Sequence, residues 1–158
     1  MKIKTKGLLA IDIDGTLTHI RDALSHDVVV YLQELHASGW KILFVTGRTL
    51  DWSLKLLNKL TFGFYLSVFN GAYTIEYPQN TIVKKCFLPF ERIFQVVNLV
   101  KGEDVGLAFY GAPDRFNKSF LYRNLASHVL ASHLIARAKA VAETWTEIEN
   151  IMDLPTDN

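Results

Sequence analysis

The chain has 158 residues, 49% apolar and 21% charged, which is ordinary for a globular protein with one domain or a small core and an appendage. Its formal net charge of +1 gives no reason to expect nucleic acid or an acidic surface as a partner. The single cysteine, Cys86, excludes an internal disulfide and fits a reducing compartment. No apolar run reaches membrane-spanning length, and the first one ends too early for a signal peptide, so we expect a soluble cytoplasmic protein without a membrane partner.

The first part of the chain alternates between strand and helix patterns. Residues 7–11 form a short uninterrupted apolar run, typical of a strand buried on both faces of a parallel sheet. Ser25 is a candidate N-cap for a helix that Gly39 ends. A strand over 41–45, a helix with leucines at 50, 54, 57 and 60, and a strand over 64–69 follow. Short joins between such elements favour parallel strands, and therefore an α/β fold with a Rossmann-like parallel sheet.

The pattern changes near residue 77. Residues 72–77 and 81–87 are rich in β-formers and are separated by Pro78-Gln79-Asn80, which predicts a hairpin. A helix over 89–100 and a strand over 105–110 come next, and apolar residues from about Phe116 to Ile148 recur at helical spacing. The predicted domains are residues 1–77, a core, and residues 78–158, a mixed α/β region.

Three successive predicted strands end in polar residues, which parallel strands would bring to one edge of the sheet. The sets are Asp12 and Asp14, then Thr46-Gly47-Arg48, then Asn70-Gly71. A carboxylate nucleophile, a second carboxyl as acid and base, and hydroxyl or amide donors for phosphate oxygens suit phosphoryl transfer. Two acids one residue apart repel each other, so burying them makes sense only if they share a cation or a proton.

The stretches LLAIDIDGTLT, ILFVTGR and VFNGAYTIEY resemble the N-terminal half of a haloacid dehalogenase superfamily phosphatase of the Cof-type or sugar-phosphatase branch. The resemblance implies a haloacid dehalogenase-like core with an inserted α+β cap. It also implies a Mg²⁺-dependent phosphatase that hydrolyses a small phosphorylated metabolite through an aspartyl-phosphate. Asp12 would be the nucleophile and Asp14 the general acid and base, with Mg²⁺ held by the Asp12 side chain and the Asp14 backbone carbonyl.

The resemblance also implies that phosphate and substrate contact the second and third strand ends. Thr46 would hydrogen-bond the transferring phosphoryl group, with Asn70-Gly71 near the substrate, so the candidate binding residues are Thr46, Gly47, Arg48, Asn70 and Gly71. Three plainer readings stay open: Asp12 and Asp14 as solvated acids in a turn that ends the strand, Arg48 as a surface or helix-start residue, and Asn70-Gly71 as an ordinary turn.

Two motifs of the family are absent from this sequence: the lysine motif and the Gly-Asp-x-x-Asn-Asp type acidic motif that follow the cap. The fold would then be truncated, and the alternative function is a catalytically incompetent binding or assembly module. In the family's usual order the missing strand lies beside residues 7–11, so that edge would be exposed. Either the tail from about Leu125 folds back over it, or a second copy pairs with it in a homodimer.

Overall fold

A computed structural model of the chain describes residues 5–18, 23–103, 105–113, 119–124 and 145–154. The chain divides into two compact units, Met1–Phe87 and Leu88–Asn158. None of the helices in these ranges is long and apolar enough to cross a membrane.

The described part of the first unit is built on one five-stranded sheet with two helices. Its elements are β1 (Gly7–Asp12), α1 (His26–Ala37), β2 (Trp40–Val45), α2 (Leu50–Leu57), β3 (Phe64–Val68), β4 (Tyr73–Tyr77) and β5 (Thr81–Lys85). The strands lie in the order β1-β2-β3-β4-β5. β1, β2 and β3 are parallel, and β4 and β5 continue the sheet as an antiparallel hairpin. The parallel sheet and the hairpin are therefore as predicted.

The hairpin belongs to the sheet of the first unit. The sequence pattern placed the boundary near residue 77, whereas the structure divides the chain after Phe87. The difference arises because β4 pairs with β3 along its whole length, from Tyr73 opposite Val68 to Tyr77 opposite Phe64. In the sequence, the change from alternating strands and helices to a hairpin suggested a new domain, although it marks only the change from parallel to antiparallel pairing within one sheet.

Local signals set the bounds of the first helix. The Ser25 hydroxyl accepts a hydrogen bond from the Val28 amide at 3.3 Å, which satisfies one of the free donors at the start of α1. Gly39 follows the helix with φ of 100°, a conformation that glycine adopts without the cost a Cβ would impose. Val29 and Leu32 are buried on one face, and the predicted N-cap is confirmed.

The core of the first unit lies around β2 and β3. Phe44 and Leu66 are fully buried, and the Phe44 and Phe64 rings meet edge to face with centroids 5.2 Å apart. Ile42 and Phe44 are buried at alternate positions of β2, which is the two-residue period of a strand, whereas every residue of β3 except Tyr65 is buried. This core packs β2 and β3 side by side.

β1 does not meet the expectation of burial on both faces. Its residues alternate between partly buried and exposed, and Leu8 is 55% exposed. Among the described residues β1 pairs only with β2, from Gly7 opposite Trp40 to Asp12 opposite Val45. The expectation was wrong because an apolar run indicates only that a strand can be buried. Whether it is buried depends on the elements that pack against it.

The second unit is mixed α and β in its described part. It contains α3 (Phe90–Leu99), β6 (Val105–Tyr110), β7 (Ser119–Asn124) and β8 (Trp145–Ile148). β6 and β7 are antiparallel and β7 and β8 are parallel. Ile148, Ile151 and Leu154 are buried against partly buried residues that include Phe90 and Phe94. The predicted α3 and β6 are confirmed.

The helical prediction beyond residue 116 is wrong wherever the structure tests it. Ser119–Asn124 and Trp145–Ile148 are strands. The other residues on which that prediction rested, from Leu125 to Ala138, lie outside the described ranges. Apolar spacing of four residues fitted a helix, but pairing with β6 decided the conformation of residues 119–124.

Candidate functional site

The carboxyl ends of the three parallel strands lie side by side. Asp12 at the end of β1 is opposite Val45 at the end of β2, and Val45 is opposite Ser67 of β3. The Thr46 amide, one residue past β2, donates to the Ser67 carbonyl at 2.9 Å. The residues that follow each strand therefore meet at one edge of the sheet, as the sequence predicted.

The loop after β1 presents two acids to solvent on either side of a buried anchor. Ile13 is fully buried, whereas Asp12 and Asp14 are exposed. The Ile13 carbonyl accepts hydrogen bonds from the amides of Leu17 and Thr18 at 3.0 and 3.2 Å. Gly15 has φ of 80°, where a side chain would be strained. The local fold thus keeps both carboxylates accessible.

The Asp12 carboxylate has a neighbour within its own motif. The Thr16 hydroxyl donates to Asp12 Oδ2 at 3.1 Å. This contact orients the carboxylate while Asp12 remains exposed to solvent. An oriented and accessible carboxylate is what nucleophilic attack on a small substrate requires.

Asp14 makes a bidentate ion pair with Arg48. Arg48 Nη2 lies 2.6 Å from Asp14 Oδ1, and Arg48 Nε lies 2.9 Å from Oδ2. The Arg48 side chain is 1% exposed and the Asp14 side chain 51% exposed. On its other side the Arg48 guanidinium carbon lies 4.0 Å from the centre of the Trp52 ring. Bidentate hydrogen bonds between charged groups are stronger and more directional than neutral ones.

Backbone hydrogen bonds tie the loops after β2 and β3 together. The Asn70 amide donates to the Thr46 carbonyl and the Phe69 amide donates to the Arg48 carbonyl, both at 3.1 Å. Within the first loop, the Thr46 hydroxyl accepts from the Arg48 amide at 3.1 Å. Thr46 and Arg48 are both buried, so this part of the site is held by the core.

The Asn70-Gly71 turn packs closely against Gly47. Asn70 has φ of 55° and Gly71 has φ of 92°, so both lie in the left-handed region. A Cβ added at Gly47 would lie 2.9 Å from Asn70 Oδ1, closer than real Cβ contacts come. Gly47 thus leaves room for the exposed Asn70 amide beside Thr46. Asn70-Gly71 is a turn, as the plainer reading held, and it also joins the site.

The sequence-predicted residues meet, but not all as expected. Thr46, Gly47 and Asn70 contact one another, and Asp12 is aligned with them through the register of β1 and β2. Arg48 is neither a surface residue nor directed to solvent, because its guanidinium faces Asp14. Sequence reasoning missed Trp52. The available signal was its place in the first turn of α2, shortly after Thr46-Gly47-Arg48.

The two acids offer Mg²⁺ ligands of the right kind but few of them. Mg²⁺ prefers six oxygen ligands, usually one or two carboxylates with water and substrate phosphate. Within the described ranges no group of three or more His, Cys, Asp or Glu residues could hold a metal ion. The Asp12 carboxylate is exposed, and the Asp14 carboxylate is hydrogen-bonded to Arg48. The donor set therefore fits a weakly held cation that other oxygens complete.

Comparison with known sequences gives a family match and one partial relative. The model of a family described as haloacid dehalogenase-like hydrolase matches residues 9–154. The Bacillus subtilis protein YxeH, provisionally named a phosphatase, is 30% identical over 95 residues. That alignment covers 58% of this chain and 35% of YxeH.

Solved structures share the fold at low sequence identity. BT1666 from Bacteroides thetaiotaomicron, a phosphatase of the haloalkanoate dehalogenase superfamily, is 21% identical with a TM-score of 0.71 over 96% of this chain and 52% of its own. BT4131, a subclass IIB sugar phosphatase, is 18% identical with a TM-score of 0.63 over 91% of this chain and 52% of its own. The chain thus spans about half the length of the structures it matches.

Proposed function

Because the chain belongs to the haloacid dehalogenase-like hydrolase family, we propose that it hydrolyses a small phosphomonoester. The observation that carries the proposal is the Asp12 carboxylate, exposed at the end of β1 and aligned through Val45 with the loop of Thr46. The description of BT4131 as a sugar phosphatase supports a sugar phosphate as the substrate class. We also propose that the unit Leu88–Asn158, mixed α and β in its described part, acts as a substrate-specifying cap.

The proposed reaction has two displacement steps. An Asp12 oxygen attacks phosphorus in line, forming an aspartyl-phosphate as the bond to the ester oxygen breaks. Asp14, which the structure pairs with Arg48 as a carboxylate, takes up a proton from water before this step and gives it to the departing alkoxide. In the second step the Asp14 carboxylate takes a proton from water, whose oxygen attacks phosphorus. Inorganic phosphate leaves and the Asp12 carboxylate is restored.

Donors from the other two strand ends would bind the phosphoryl oxygens. The Thr46 hydroxyl accepts from the Arg48 amide, so its own hydrogen can be donated to a phosphoryl oxygen. The Asn70 side-chain amide lies beside Gly47 in the same loop cluster. The Thr46 hydroxyl and the Asn70 backbone are held in place by hydrogen bonds before substrate arrives, which favours electrostatic stabilisation of the developing charge.

The Asp12 side chain and the Asp14 backbone carbonyl would hold Mg²⁺. When bound, the cation offsets the repulsion between the attacking carboxylate and the phosphate. These two oxygens leave four of the six positions that Mg²⁺ prefers to water, phosphate or other residues. The metal site is proposed on the chemistry of these donors and on the family.

The test is the substitution Asp12→Asn, which keeps the side-chain shape and removes the nucleophilic charge. We expect turnover of p-nitrophenyl phosphate to fall by at least about 1,000-fold, because the covalent route is lost. The matched control is Asp27→Asn, an exposed acid in the first turn of α1, which should turn over at the wild-type rate. Circular dichroism confirms that both variants fold. Near wild-type turnover by Asp12→Asn would exclude Asp12 as the nucleophile.

A second candidate function, assembly through the first strand, is favoured by the exposure of β1. Leu8 is 55% exposed, and in the described part of the sheet β1 pairs on one side only. An apolar strand edge of this kind pairs readily with another strand. A two-fold homodimer would cover two such edges with one interface. Dimerisation without turnover by the wild-type chain would favour this function over hydrolysis.

A further inference from the structure

Arg48 occupies a buried position between an acid and an aromatic ring. Its side chain is 1% exposed, its Nε and Nη2 atoms donate to Asp14, and its Nη1 atom is buried. The guanidinium carbon lies 4.0 Å from the centre of the Trp52 ring, the distance of a stacked cation–π contact. Protein atoms therefore surround the Nε and Nη2 edge, the Nη1 atom and one face of the guanidinium.

This arrangement differs from that of a phosphate-binding arginine. A phosphate ligand must direct N–H groups to an accessible anion, as guanidinium groups do when they bind phosphate bidentately. Here the paired donors, Nε and Nη2, engage the two oxygens of Asp14. The exposed member of the pair is Asp14, whose side chain is 51% accessible. Substrate can thus reach Asp14 without displacing Arg48.

We propose that Arg48 and Trp52 form a positioning pair that sets the orientation of the Asp14 carboxylate, and that Arg48 does not bind the substrate phosphate. The role of Asp14 as acid and base rests on the proposed function. Two parallel N–H···O bonds fix the carboxylate plane, which a lysine ammonium cannot do. The Trp52 ring, 4.0 Å from the guanidinium carbon, in turn restricts the tilt of the guanidinium. Proton transfer to a leaving group depends on such placement.

A leaving-group comparison separates positioning from phosphate binding. Arg48→Lys should lower kcat on an alkyl phosphate, whose leaving group needs a proton, by about 10- to 100-fold. On p-nitrophenyl phosphate, whose leaving group needs little help, kcat should fall less than about 3-fold, with KM within about 2-fold for both substrates. The control Lys59→Arg, an exposed lysine of the first unit just after α2, should leave all values unchanged. Equal losses on both substrates with a raised KM would overturn the proposal.

Substitutions of Trp52 test the second half of the pair. Trp52→Leu should lower kcat on the alkyl phosphate by about 3-fold, since one cation–π contact is lost. As with Arg48→Lys, kcat on p-nitrophenyl phosphate should fall less. Trp52→Phe, which keeps an aromatic face, should recover most of that loss. Trp40→Leu, which removes an indole at the opposite end of β2, is the matched control. An alkyl phosphate rate unaffected by Trp52→Leu would remove Trp52 from the proposal.

A measurement without turnover distinguishes this inference from the proposed function. The ¹⁵N–¹H signal of Arg48 Nε should be visible and slow to exchange in the wild-type chain, and should shift in Trp52→Leu and in Asp14→Asn. Titration with inorganic phosphate should shift the backbone amides of Thr46 and Asn70 and leave the Arg48 Nε signal in place. If phosphate moves the Arg48 signal with those amides, Arg48 is a phosphate ligand and the proposal fails. If neither test substrate is turned over, the proposed function fails, and the shifts in Trp52→Leu and Asp14→Asn still decide the positioning contact.

Discussion

Gly47, in the loop after β2, packs against Asn70 in the loop after β3 with no room for a side chain. The substitution Gly47→Ala tests whether this close packing is needed for activity. An alanine Cβ would lie 2.9 Å from Asn70 Oδ1, whereas ordinary contacts begin at 3.4 Å. The Asn70 amide must therefore withdraw by roughly 0.5 Å. Asn70 is exposed, so its side chain can rotate away from the new methyl group.

The predicted cost falls on activity and not on stability. An off-rotamer side chain costs about 0.5 to 1.5 kcal/mol. Replacing glycine by alanine stabilises the folded state by about 0.4 to 1 kcal/mol, because it lowers the conformational entropy of the unfolded chain. The free energy of unfolding should thus change by less than about 1 kcal/mol. A misplacement of 1 Å can cost about 100-fold in rate, so a shift half that size should lower kcat by about 10-fold.

Gly63→Ala is the matched control for this experiment. Its Cβ would lie 3.2 Å from the Tyr77 carbonyl oxygen, a backbone atom that cannot rotate away. It should cost about 1 kcal/mol in urea unfolding and leave kcat unchanged, because Gly63 precedes β3 at the end away from the site. Gly47→Ala should thus lower kcat with little change in stability, whereas Gly63→Ala should lower stability with no change in kcat.

A double-mutant cycle identifies the cause of the lost activity. Asn70→Gly removes the amide and keeps the left-handed backbone that Asn70 adopts with φ of 55°. In that background Gly47→Ala should lower kcat no further, because the group it displaces is gone. A further 10-fold fall in the Asn70→Gly background would refute the reasoning that the methyl group acts through Asn70.

Three further predictions concern the metal, the sheet edge and the core. Without phosphate, calorimetry should find Mg²⁺ binding weaker than micromolar, because Asp12 and the Asp14 carbonyl supply only two ligands; micromolar affinity would mean that further acids take part. If a second copy covers β1, light scattering at micromolar protein should show a dimer and the amides of residues 8–12 should exchange slowly; a monomer with rapid exchange would contradict any cover. Phe44→Ala should lower the free energy of unfolding by about 3 to 5 kcal/mol, because its ring is fully buried, whereas Leu99→Ala, at 83% exposure, should stay within about 0.5 kcal/mol; equal effects in urea unfolding would contradict the assigned core.

Much of the first unit follows from local signals. Ser25 caps α1 through its own hydroxyl, and the strands of residues 41–45 and 64–69 were found within one residue of their observed bounds. The hairpin around Pro78-Gln79-Asn80 was found in the same way. These features depend on neighbours in sequence, through hydrogen bonds and side-chain alternation that short segments already encode.

The strand-end motif also predicted which residues meet. Asp14, Thr46, Arg48 and Asn70 do form one cluster, because parallel strands of similar length end at the same edge. The sequence did not predict which partner each side chain takes. Arg48 and Asp14 are 34 residues apart, and their pairing depends on the register of β1 and β2 and on the position of α2.

The sequence by itself therefore determined the α/β order of the first unit, the family resemblance and the set of polar residues at the strand ends. Tertiary structure alone decided that β4 and β5 extend the first sheet, that residues 119–124 form a strand, and that Arg48 is buried against Asp14 and Trp52. A strand forms its hydrogen bonds with a neighbouring strand that can be distant in the chain. The burial of a charge likewise depends on the groups that surround it. Both are set by contacts between segments far apart in sequence.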